Sequence, residues 1–384
     1  LQDVSARPYH CSCDWESQVS LFISGSTEVA AKQLIRRRKT RPMGLPKMTF
    51  TRPIFAALVL GTGLLIASAQ SADPSSMKIL RLSPALDQLI APGVEPQAVS
   101  GGYNFTEGPM WRGGRLWFSD EEGDQVHAVT AEGHDTLLVD LKTGHYARPD
   151  GKKTGPNAMA TSKDGSVVMC EQYGRAVVRL LGTAGDLKPE PFFDNYQGKR
   201  LNSPNDLVIL PDGSFFFTDP PYGLPGRDND PAKQLAFDGV FLYKNGKLTP
   251  IITDLTLPNG IALSPDNKTL YVNNSGPRER VIAYPLHADG TVGPPHDVID
   301  FTGKEGPGVP DGMKIDSRGD IWTTGPGGIR ILTPQGRMLG QILLPEVAAN
   351  LAWGGDGTTI YITARTHVYR LQTRVRGYLP VFQQ

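Results

Sequence analysis

The chain has 384 residues, enough for one large domain or two ordinary ones. Its 39 Lys and Arg balance 39 Asp and Glu, so no basic surface points to a nucleic-acid partner. The 43 Gly and 32 Pro are scattered as punctuation, which suits many short strands joined by tight turns and argues against a low-complexity tract.

Taken in chain order, residues 1–47 show no clear periodicity and are expected to be an upstream extension foreign to the mature protein. Met48 to Arg52 then forms a short basic head, followed by the apolar run Ile54 to Ile66 and the small-residue stretch Ala67-Ser-Ala69-Gln-Ser-Ala72. Those are the parts of a secretory signal, so 48–72 is expected to be a signal peptide and the protein exported, periplasmic or secreted. An apolar run of that length is shorter than the roughly 20 residues that span a bilayer, so no stable membrane anchor is expected; a retained anchor is the alternative. Cys11 and Cys13 lie in the part set aside, which leaves Cys170 alone and no internal disulfide. Residues 73–94 are expected to be a linker and 95–384 the folded domain.

From Thr106 onward one pattern recurs six times. It is visible in "TEGPMWRGGRLWFSD", "GPNAMATSKDGSVVMCE", "SPNDLVILPDGSFFFTD", "LPNGIALSPDNKTLYVNNS", "VPDGMKIDSRGDIWTTG" and "AANLAWGGDGTTIYITA". Each copy has a polar residue, an alternating strand, a Gly or Asp turn and a second strand. The leading polar residues are Glu107, Asn157, Asn205, Asn259, Asp311 and Asn350, spaced 50, 48, 54, 52 and 39 residues apart. Four short antiparallel strands per repeat describe a propeller blade, and six repeats predict an all-β, six-bladed β-propeller with a central-channel metal site. Two packed sandwiches are the alternative. The last repeat has room for only three strands, so a segment near Gln97-Ala98-Val99 is expected to supply the fourth and close the ring.

Equivalent positions of six innermost strands form a ring at one end of the channel. Here the ring carries only carboxylate and carboxamide side chains, including a Glu, which is a poor turn former. Converging oxygens suit a hard divalent cation: Ca²⁺ first, with Mg²⁺, Mn²⁺ or Zn²⁺ as alternatives. No His repeats with the blades. There is no G-x-S-x-G elbow, H-E-x-x-H helix or phosphate loop in the part after residue 72.

On "TEGPMW", "NSPNDLVILPDGSFFFTDPPYG", "LPNGIALSPDNKTLYVNNS" and "PDGMKIDSRGDIW", the sequence resembles the gluconolactonase/senescence-marker-protein/luciferin-regenerating-enzyme family of metal-dependent propeller hydrolases. The resemblance runs from about residue 95 to 372. It implies Glu107, Asn205, Asn259 and Asp311 as metal ligands, with Asn205 also facing the substrate and Asp311 as the catalytic acid/base. In animal relatives an Arg two residues before the Asn-Asp pair contacts the substrate, and Ser203 stands there in this chain. Arg200 is the candidate replacement, Asn157 and Asn350 are candidate substrate contacts, and Asp219 and Tyr222 could approach the mouth. The reaction implied is metal-assisted opening of a small-molecule sugar lactone. A phosphotriesterase-type hydrolase and a binding propeller with a structural ion are the alternatives.

Overall fold

The computed structural model describes residues 77–379 except 144, 148–153 and 184–185. The segments expected at 1–47 and 48–72 lie outside the described residues. Those described belong to one unit, Ile66–Gln384.

The chain begins with β1 (Lys78–Arg81), a short 3-10 turn at Pro84–Gln88 and β2 (Gln97–Gly101). Antiparallel sheets follow. Blade one is β3 (Thr106–Arg112), β4 (Arg115–Asp120), β5 (Gln125–Val129) and β6 (Asp135–Asp140). Blade two is β7 (Pro156–Thr161), β8 (Val167–Glu171), β9 (Ala176–Leu181) and β10 (Lys188–Phe193). A two-stranded hairpin, β11 (Asn195–Tyr196) and β12 (Lys199–Arg200), precedes blade three. That blade is β13 (Leu207–Ile209), β14 (Phe215–Asp219), β15 (Asp238–Lys244) and β16 (Lys247–Leu255). Blade four is β17 (Pro258–Leu263), β18 (Thr269–Asn274), β19 (Arg280–Pro285) and β20 (His296–Asp300). Blade five is β21 (Met313–Ile315), β22 (Ile321–Gly325), β23 (Gly328–Leu332) and β24 (Met338–Leu343). Blade six is β25 (Ala348–Gly354), β26 (Thr359–Ala364) and β27 (His367–Gln372).

Blade six takes its fourth strand from the other end of the propeller: β2 pairs with β27, Ala98 opposite Tyr369 and Gly101 opposite His367. This is the closure expected near Gln97-Ala98-Val99, and it covers an edge whose bare N–H and C=O groups would invite pairing with another chain. Part of the segment expected as a linker, 73–94, is structural instead. β1 adds to β24 as a fifth strand of blade five, with Ile79 opposite Ile342. Leu86, Leu89 and Ile90 are fully buried with Trp322 and Trp353. The apolar content of this short run was legible, but it sits outside the repeat and nothing local says which edge it covers.

Blades pack face to face, so their middle strands are buried on both sides. β14 shows this directly. Phe215 and Phe217 face blade two, packing with Val168 and Cys170, while Phe216 faces blade four with Ile261 and Val272. The alternation is the period of two of a strand, and each buried aromatic contributes about 1.5–3 kcal/mol relative to exposure.

Candidate functional site at the channel mouth

The leading polar residues are held by a device that repeats with the blades. At the end of β4, the Asp120 carboxylate accepts the backbone N–H of Asn104 at 3.0 Å and of Phe105 at 2.9 Å. At the end of β14, Asp219 accepts from Asn202 and Ser203, both at 2.8 Å. At the end of β18, Asn274 Oδ1 accepts from Thr256 at 3.3 Å and Leu257 at 3.0 Å. In all three blades the second pinned amide lies two residues before the leading residue: Phe105 before Glu107, Ser203 before Asn205, Leu257 before Asn259. Asp219 therefore serves the backbone of the segment that carries Asn205; it does not line the mouth. Burial pushes its pKa up to about 7 against the pull of those two N–H donors.

Neighbouring blades are then tied together at the same level. Ala158 N–H donates to Asn205 O at 3.2 Å, Gly260 N–H to Asp311 O at 2.9 Å and Gly312 N–H to Ala349 O at 2.8 Å. A Cβ at Gly260 would lie 2.1 Å from Asp311 O, so the Gly of Pro-Asn-Gly is dictated by the close approach of the next blade.

Glu107, Asn157, Asn205, Asn259 and Asp311 line one cavity of about 230 Å³ at the channel mouth. No His or Cys is among its described lining residues. Five of the six expected ring members thus converge. Asn350, expected as a substrate contact, lies on the other side of Glu107. It lines a separate cavity of about 80 Å³ with Asp206 and Lys314. There Lys314 Nζ donates to Asn350 Oδ1 at 3.3 Å, and Asn350 Nδ2 donates to Glu107 Oε2 at 3.0 Å. Arg200, the other expected substrate contact, is exposed on β12. Its guanidinium donates to Gly174 O, and it is not part of the cavity wall.

Tyr222 does reach the wall. Asn259 Nδ2 donates to its hydroxyl oxygen at 3.3 Å and to Ser275 Oγ at 3.0 Å, which fixes the Asn259 amide. The loop carrying Tyr222, residues 220–237, is anchored by Ser203: its Oγ donates to Pro220 O at 2.6 Å and accepts from Gly223 N–H at 2.8 Å. The polar lining residues Glu121, Glu122, Thr154, Gln172 and Arg227 were not expected from the sequence. Glu121 and Gln172 follow the second strands of blades one and two, in the phase of "SDEEG" and "CEQYG", so a repeat signal existed. Arg227 sits in an irregular loop and had none.

The electrostatics of the cavity favour a cation. Burial raises the pKa of Asp311 well above the usual carboxylate range, reinforced by the charges of Glu107, Glu121 and Asp206. Glu107 is raised as well, mainly by burial, against donation from Gly108 N–H and Asn350. Asn157 Oδ1 and Gln172 Oε1 are buried acceptors with no hydrogen-bond donor among the described residues. Among the described residues no three His, Cys, Asp or Glu side chains are grouped as metal ligands. The donor set is two carboxylates completed by asparagine amides, an all-oxygen set that fits Ca²⁺ or another hard divalent ion.

Comparison with known proteins identifies the family of the chain. Residues 105–366 match the SMP-30/Gluconolactonase/LRE-like region family. A gluconolactonase of Zymomonas mobilis is 32% identical over 342 residues, covering 84% of this chain and 94% of that protein. The lactonase drp35 of Staphylococcus aureus is 31% identical over 240 residues, covering 59% of this chain and 68% of that protein. The solved structure of the Xanthomonas campestris gluconolactonase XC5397 superposes with a TM-score of 0.67 at 27% identity, covering 79% of this chain and 96% of that one. With its six blades and most of its length matched, the chain belongs to the SMP-30/gluconolactonase/LRE-like family.

Proposed function

We propose that this protein is a lactone hydrolase, with a sugar lactone as first candidate substrate and a divalent cation, Ca²⁺ first, held by Glu107, Asn205, Asn259 and Asp311. The observation that carries the reading is the convergence of these four oxygen-bearing side chains in one cavity at the channel mouth of a chain from this family. When bound, the cation supplies positive charge at the ester carbonyl, where negative charge develops during attack.

The remaining work falls to the protein. Asp311, partly accessible at the mouth, accepts a proton from the attacking water. A new C–O bond forms to the carbonyl carbon, the ring C–O bond breaks, and Asp311 returns the proton to the leaving alkoxide, which gives an open hydroxy acid. Asn157, whose Oδ1 lacks a donor, accepts from a substrate hydroxyl. Asn350 holds Glu107 from below and does not touch the substrate.

The test is hydrolysis of D-glucono-1,5-lactone by the purified protein, followed by acid release, before and after chelation and after Ca²⁺ is restored. Activity lost on chelation and regained with Ca²⁺ is expected, as is a fall of about 10²–10⁴-fold in kcat for Asp311→Asn. Asp311→Asn that binds Ca²⁺ and keeps full activity would remove Asp311 from the proton transfer.

A further inference from the structure

The described wall of the mouth cavity is rich in carboxylate acceptors, and its neutral donors are the amides and hydroxyls of Asn, Gln, Thr and Tyr. Glu107, Glu121, Glu122 and Asp311 line it, with Asn157 Oδ1 and Gln172 Oε1 lacking donors. Among its described lining residues, Arg227 is the single basic side chain. Arg227 is exposed, and its guanidinium makes no hydrogen bond or ion pair with a described residue. Its one close partner is the ring of Tyr222, whose centroid lies 4.8 Å from the guanidinium carbon.

The loop holds this arginine in place. Arg227 N–H donates to Leu224 O at 2.9 Å, and Asp230 N–H donates to Arg227 O at 3.0 Å. The Asp230 carboxylate accepts from Gly226 N–H at 2.8 Å and from Ala232 N–H at 2.9 Å. Leu224 and Leu235 bury the loop's apolar side. A fixed series therefore runs from the mouth inward: Arg227 over Tyr222, Tyr222 bonded to Asn259, Asn259 beside Asp311.

We propose that Arg227 is the specificity-determining residue of the cavity and selects lactones whose rings carry oxygen substituents over plain alkyl lactones. The proposal rests on the lactone-hydrolase reading above. A polyhydroxylated ring has hydroxyl hydrogens, which the acceptor-rich wall takes, and hydroxyl oxygens, which need donors. Arg227 supplies five N–H donors and no acceptor, and its seat over the Tyr222 ring holds the fork at the mouth. An unsubstituted ring offers the guanidinium nothing outside its ester group, so it gains nothing from the contact.

Steady-state kinetics of the Ca²⁺-supplied protein and of Arg227→Gln, on D-glucono-1,5-lactone and on δ-valerolactone, test this. For Arg227→Gln, kcat/KM on gluconolactone falls about ten- to a hundredfold, through KM, while δ-valerolactone stays within about twofold. Arg227→Lys, which keeps the charge without the planar fork, recovers part of the loss. Equal losses on both lactones would show that Arg227 merely steadies Tyr222 and would overturn the proposal, as would no loss on either. If the unaltered protein opens neither lactone, the hydrolase reading falls and this assignment falls with it. If it opens both and Arg227→Gln leaves their ratio unchanged, only the assignment falls.

Discussion

Asn350 Nδ2 donates to Glu107 Oε2 at 3.0 Å, from the face of Glu107 turned away from the mouth cavity. Through its Oδ1, Asn350 also takes a hydrogen bond from Lys314, so a half-buried cation is linked by one amide to a carboxylate of the proposed metal site. The sixth ring member thus orients Glu107.

This arrangement predicts that Asn350→Ala weakens Ca²⁺ binding about 10- to 100-fold, the usual consequence of removing a group that orients a ligand. Titration calorimetry reads the affinity directly. A substrate contact would instead raise KM for the lactone and leave Ca²⁺ affinity alone.

Asp219 accepts two buried backbone N–H groups and lies outside the cavity wall. Asp219→Ala should therefore cost about 2 kcal/mol or more of unfolding free energy, because it leaves two buried backbone N–H groups without an acceptor, at about 1–3 kcal/mol each. Urea unfolding measures it. Unchanged stability would show that the pin at the end of β14 does not hold the Asn205 segment.

Gly260→Ala should destabilise the protein by about 1–3 kcal/mol through overpacking against the next blade, where the added Cβ meets Asp311 O and the Cα of Gly312. The displaced segment, just before β21, contains Asp311, so weaker Ca²⁺ binding should accompany the lower melting temperature. A substitution at Gly246, whose Cβ position is open, cannot serve as a control because its φ of +76° strains any side chain. Gly293→Ala is the milder comparison: the nearest atom to its Cβ is a Pro285 side-chain carbon 3.3 Å away, a tight contact that a shift of a few tenths of an ångström relieves.

Asp238 is buried beside Asp219 and, like it, is pushed up to about 7 by burial, opposed by Lys233 3.1 Å away. A carboxyl that keeps its proton to about pH 7 when folded, but loses it near 3.8 when unfolded, binds more protons in the folded state between those values. Stability should accordingly fall as pH rises from about 4 to 7 and level off above that. Melting temperatures across this range, for the parent and Asp238→Asn, check the sign: the variant should show a shallower decline. A parent whose melting temperature rises over the same interval would contradict it.

Much of this architecture was legible in the sequence because a propeller blade is a local object. Its four strands are consecutive, its turns carry Gly and Asp, and its leading residue recurs in phase. Six copies of "small polar residue, strand, turn, strand" were enough to place Glu107, Asn157, Asn205, Asn259 and Asp311 at one end of a channel. The same reasoning expected the closing strand near Gln97-Ala98-Val99, where β2 (Gln97–Gly101) lies, since a blade with three strands leaves an edge to cover.

What the repeat could not distinguish is which side of the ring each member serves. Asn350 has the right phase, yet Lys314 and Glu107, supplied by two other blades, turn it into a support. Asp219 ends a strand beside the mouth, yet backbone amides 16 and 17 residues earlier in the chain claim its oxygens. Arg200 lay nearer in sequence to Asn205 than Arg227 did, but the hairpin β11–β12 directs it to Gly174, while the loop tied down by Ser203 and Asp230 brings Arg227 to the cavity. The sequence by itself determined the blades and the oxygen-bearing ring, because those depend on short-range pattern. Only the tertiary structure decided which arginine lines the mouth and which asparagine stands behind it, because contacts between blades and across an irregular loop have no period to read.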